Sequence, residues 1–112
     1  MLVDIEGELV RVSKLEAATE GSRELDCDIT RLVYGLAPKE IPRVISPYTS
    51  SEKEAASLVP ALMTYTTPHN GGIAFVWPRG ELRPARYFYG ESSTPALALC
   101  IAALKSRDKD AA

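Results

Sequence analysis

One histidine, two cysteines, a run of carboxylates and a group of arginines with tyrosines are the residues of this 112-residue chain that could do chemistry. His69 would need a neighbouring cysteine for nucleophilic work, or further ligands to hold a metal. It falls in His69-Asn70-Gly71-Gly72, a turn sequence, and reads as an exposed turn residue. A nucleophilic Cys100 would need exposure and a positive environment to lower its pKa, yet it sits on the apolar stripe of a helix. Glu24, Asp26 and Asp28 share a helical segment and read as a solvated acidic face rather than an acid/base pair or metal site. Gly71-Gly72 is turn chemistry, since no helix follows to present amides to a phosphate. No catalytic set, metal site or cofactor is expected.

Arg79, Arg83 and Arg86 with Tyr87 and Tyr89 form the constellation that keeps a functional reading. Arginine and tyrosine together stack on bases, pair with phosphates or anchor protein interfaces. The competing reading is a charged strand whose arginine stems lie along the surface with their heads in water.

The elements that must position these residues follow from size and periodicity. The length suits one domain spanning residues 1–112, and 46% hydrophobic with 25% charged residues is ordinary for a globular fold. A net charge of −2 argues against nucleic acid or anionic membrane as a partner of the whole domain. No apolar run approaches the ~20 residues of a membrane span. The amino terminus carries acids where a signal peptide needs bases, so a cytoplasmic location is expected. Cys27 and Cys100 lie in helical patterns and read as buried free thiols of a reducing compartment.

Ile5, Leu9, Val12 and Leu15 approach helical spacing over residues 3–18, although Val3, Ile5, Gly7 and Leu9 also fit one face of a strand. Ser22 suits the cap of a second helix, with Leu25, Ile29, Leu32, Val33 and Leu36 on one stripe and Gly35 as its stop. Residues 37–50 read as an ordered loop pinned by Ile41, Val44, Ile45 and Tyr48. A capping box at 51–54 opens a short helix that ends at Pro60. Alternation then predicts strands from Ala61, over Ile73–Trp77 and over Leu82–Tyr89, the first two joined by an Asn-Gly hairpin turn. Apolar residues on both faces of Ile73–Trp77 predict a central strand covered on both sides. The last helix is capped by Thr94, has Pro95 at its first position and carries Leu97, Cys100, Ile101 and Leu104 toward the core. The architecture predicted is α+β: a three-stranded antiparallel sheet packed with helices in the order α-α-α-β-β-β-α.

LEAATEGSRELDCDI (residues 15–29), PYTSSEKEAASLVP (residues 47–60), the IAFVWP strand and STPALALCIAALK together resemble the phage ABA sandwich domain family. That family comprises small proteins encoded by bacteriophages and prophages. The resemblance covers nearly the whole chain in order and spacing, and implies an α/β sandwich of phage or prophage origin. It implies no activity, because the family's function is not established and it offers no functional residues. ALMTYTT after Pro60 departs from the glycine- and tryptophan-containing run more usual there, and the stretch from Trp77 to Gly90 is short.

Two functions of different class follow. One is a non-enzymatic accessory protein that binds a host or phage macromolecule, for instance to block a host defence. The other is a small-ligand or nucleotide binder that uses the arginine–tyrosine surface, with a homodimer compatible with either.

Overall fold

The computed structural model describes residues 14–35, 40, 42, 44–68, 72–80 and 87–111, with side chains through Arg107. Two predicted features lie outside these residues: the helix-or-strand segment before Lys14 and the tip of the Asn-Gly turn. The elements run α1 (Arg23–Tyr34), α2 (Glu52–Ala56), β1 (Met63–Thr66), β2 (Ile73–Pro78), β3 (Phe88–Glu91) and α3 (Pro95–Ala111). A helical turn at residues 14–17 precedes α1. The fold is α+β, with an antiparallel sheet ordered β1-β2-β3 against helices.

Helix α1 begins where Ser22, in extended conformation, accepts a hydrogen bond from Leu25 N at 3.2 Å. It ends at Gly35, whose φ of 65° is a left-handed conformation that glycine adopts without a Cβ penalty. Ile29 is buried, and Leu25, Leu32 and Val33 pack against the core beside it.

Asp26 does not lie on a solvated face. It is 6% exposed, and its Oδ1 accepts from Thr49 N at 2.8 Å and from the Thr49 hydroxyl at 2.7 Å. The same hydroxyl accepts from Ser22 N at 3.0 Å. This knot ties the loop before α2 to the first turn of α1, because a buried carboxylate requires partners. Asp28, also expected in solvent, is part-buried and lies 3.9 Å from Lys14. The loop's other anchor is Tyr48, buried as expected, whereas Val44 stands 87% exposed and pins nothing. Ile41 lies outside the described residues.

Short α2 is capped by Ser51, whose hydroxyl accepts from Glu54 N at 3.3 Å. Sheet register pairs Tyr65 with Val76 and Phe75 with Tyr89. The third strand starts at Phe88, later than the expected Leu82–Tyr89, and residues 81–86 lie outside the described set.

Helix α3 opens on Thr94, which accepts from Leu97 N at 3.2 Å. Every residue from Ala96 to Leu104 is at most 5% exposed. It is therefore enclosed on all sides rather than forming one wall, which is where a helix apolar all round belongs. The sheet covers one side and α2 another. Leu104 meets Leu15 and Ile29 at a third. On the sheet side, a Cβ at Gly90 would collide with the backbone of Ala98 and Ala102. Glycine on β3 and alanines four apart on α3 together let strand and helix backbones touch.

Candidate functional site

Register sorts the sheet residues into two faces. Met63, Tyr65, Ala74, Val76, Phe88 and Gly90 share the face toward α3, where Ala74 and Val76 are fully buried. Thr64, Thr66, Ile73, Phe75, Trp77, Tyr89 and Glu91 share the opposite face. Among the described residues no helix is packed broadly against that second face. The central strand is thus covered by a helix on one side, and by its own aromatic neighbours on the other.

Phe75 is the centre of this face. Its ring meets Tyr87 edge-on, centroids 5.3 Å apart and planes at 72°, and meets Tyr89 at 5.3 Å and 55°. Such pairs contribute about 0.5–1.5 kcal/mol beyond area burial, so the rings hold one another in place. Extending the pairing by one step sets Trp77 across from Tyr87. Phe75, Trp77 and Tyr89 are half-buried, and Tyr87 is 56% exposed. Partial burial raises the pKa of the Tyr89 hydroxyl, and the neighbouring Glu91 carboxylate, which accepts its hydrogen bond, raises it further. The tyrosine therefore remains a hydrogen-bond donor at neutral pH.

Of the predicted cluster, the structure brings Tyr87 and Tyr89 together through Phe75. Arg79 follows β2 and is exposed, but its Nε donates to Met63 O at 3.1 Å. Arg83 and Arg86 lie outside the described residues, as does His69. Phe75 and Trp77 were the members not joined to the tyrosines from sequence. Their i, i+2 spacing in β2 matches that of Tyr87 and Tyr89, and only the register places the two pairs side by side.

Both sheet edges are guarded. Arg79 N donates to Leu62 O, so alternation along β1 turns the backbone groups of Met63 away from β2. Met63 O is the atom that Arg79 Nε occupies. On the other edge, Ser92 N donates to Gly72 O, which turns Tyr89 outward, and Lys105 Nζ donates to Tyr89 O at 3.0 Å. A cation on an outward carbonyl obstructs addition of a strand.

Cys100 is fully buried, and its Sγ donates to Tyr48 O at 3.2 Å. Burial first, and the Asp26 carboxylate second, push this thiol far above its ordinary pKa. It is no nucleophile at neutral pH. Cys27 is a free, half-buried thiol. Among the described residues, no three of His, Cys, Asp and Glu converge as metal ligands, and no helix is long and apolar enough to cross a membrane.

A concavity of about 500 Å³ lies between the end of α1 and the following loop, lined by Tyr34, Pro42, Val44, Ile45, Ser46 and Tyr48 among others. The Tyr48 hydroxyl is bonded to Ser46 and Tyr34 there, and burial raises its pKa. No family model, curated protein or solved structure matches the chain.

Proposed function

We propose that this protein is a non-enzymatic interaction module that binds another polypeptide through the aromatic face of its sheet. The observation that carries the reading is the ring cluster of Phe75, Tyr87 and Tyr89. It extends to Trp77 on a face with no broadly packed helix among the described residues. Tyrosine and tryptophan dominate the binding energy of protein interfaces because they bury large rigid area with a polar tip. The guarded edges favour contact through the face over strand addition. In the lineage that the sequence resemblance implies, this is an accessory protein of a phage or prophage. Its partner there is a host or phage macromolecule in the cytoplasm, such as a component of a host defence.

The nucleotide alternative has less support. It depends on Arg79, Arg83 and Arg86, of which only Arg79 is described, and that side chain is already bonded to the sheet edge. The rings also meet edge-on and tilted, without a parallel slot for a base.

Affinity capture from a bacterial host lysate tests the reading, using wild type, Tyr87→Glu on the face and Lys53→Glu on α2 as a surface control. A stoichiometric polypeptide held by wild type and the control, and lost with Tyr87→Glu, is the expected result. Capture indifferent to Tyr87→Glu, or no stoichiometric partner, refutes it.

A further inference from the structure

The hydroxyls of Thr30, Tyr34, Ser46 and Tyr48 line the concavity at the end of α1. Each has one proton to donate, so their bonds can be followed in order. Thr30 donates to Asp26 O at 2.8 Å. Ser46 donates to the Tyr48 oxygen, a bond that lowers the pKa of that phenol, and Tyr48 donates to Tyr34, which raises it. The proton left over is that of Tyr34, the last residue of α1, which has no acceptor among the described residues. A hydroxyl that already accepts a bond donates more strongly, so this chain of hydroxyls ends on a polarised donor.

The floor of the concavity is fixed and its rim is open. Thr30 and Tyr48 are at most 5% exposed. Tyr48 O accepts from Cys100 Sγ, and the adjoining Thr49 is held by Asp26. Tyr34 and Val44 stand exposed at the rim, and Pro42 and Ile45 add apolar wall. Small-molecule sites occupy about 300–1,000 Å³ and combine apolar walls with a few placed polar groups, and this one has about 500 Å³. Charge selects among acceptors. Glu40 lines the concavity, no base does among the described residues, and Glu54 acts on the Tyr48 hydroxyl. A carboxylate or phosphate is repelled by these acids, whereas a neutral carbonyl is not.

We propose that this concavity is a small-molecule site for a neutral, flat, apolar compound whose carbonyl oxygen accepts the Tyr34 proton while Pro42, Val44 and Ile45 cover its body. The site shares no residue with the aromatic face, and it goes beyond the interaction reading without depending on it.

Fluorescence titration of the full chain with two dyes tests the proposal. Prodan is a neutral naphthalene with a ketone at one end, and phenylnaphthylamine is a neutral naphthalene without a carbonyl. Saturable binding of one Prodan per chain is expected, with phenylnaphthylamine weaker. Tyr34→Phe keeps the ring and removes the proton, so it is expected to weaken Prodan about fivefold and to leave phenylnaphthylamine unchanged. Val44→Glu, at a residue too exposed to threaten the fold, is expected to weaken both dyes. Tyr87→Glu, on the aromatic face, is expected to alter neither. Circular dichroism checks that each variant is folded. Prodan that does not saturate, that is indifferent to Tyr34→Phe or Val44→Glu, or that is lost with Tyr87→Glu overturns the proposal. Equal loss of both dyes with Tyr34→Phe overturns it as well, since the ring and not the proton would then hold them.

Discussion

Thr49 meets Asp26 through both its backbone amide and its hydroxyl, so one side-chain carboxylate orders a loop 23 residues away. Hydrogen bonds to a charged acceptor contribute about 1.5–3 kcal/mol, and removing the acceptor leaves a buried amide unpaired. Asp26→Ala is expected to lower unfolding stability by about 3 kcal/mol in urea titrations. Thr49→Val keeps the amide bond and should cost about half as much. A double-mutant cycle between the two should show coupling of at least ~1 kcal/mol, and independent effects would refute the knot. The burial of Asp26 is not visible in local sequence, for a physical reason. An acid in the first turn of a helix fits the dipole whether or not it is buried, and only the distant threonine distinguishes the cases. Tyr87 and Tyr89 were legible because strand alternation is local, whereas their contact with Phe75 depends on a register that no local pattern encodes.

Among the elements, those with capped ends follow from local sequence and those defined by a neighbour do not. Ser22, Gly35, Ser51 and Thr94 bound their helices as their side chains or φ preferences dictate. The third strand began later than expected because β3 exists only where β2 offers a partner, from Val76↔Phe88 to Ile73↔Glu91. Its central Gly90 determines how closely α3 approaches. Gly90→Ala is expected to destabilise the protein by about 2–3 kcal/mol, read as a lower thermal midpoint. Truncating Ala98 to glycine should not rescue it, since the clash is with backbone atoms. At the β3 edge, Lys105→Met leaves the Tyr89 carbonyl open. We expect concentration-dependent higher oligomers by light scattering, absent from wild type at the same concentration.

At the scale of the whole molecule, three groups among the described residues shift in the same direction. Cys100, Tyr48 and Tyr89 all have raised pKa values in the folded state, each led by desolvation. A folded state that holds its protons more tightly than the unfolded chain is fully favoured below the unfolded pKa values. It loses that advantage as pH climbs past them toward the folded ones. Stability is therefore expected to hold through neutral pH and to fall from the ordinary thiol value, about 8.5, upward. Cys100→Ala should flatten the first part of that decline in denaturant titrations across pH, and an unchanged slope would contradict the assignment. The enclosure of α3 carries a further consequence, for the order of events during synthesis. Residues 95–104 emerge from the ribosome after the helices and strands that surround them, so those earlier elements have nothing to assemble around while the chain is growing. Nascent chains arrested before residue 95 is exposed should be cut readily by protease along their whole described length. Resistance should appear in one step when Leu104 emerges, because the elements before α3 share no core until that helix joins them.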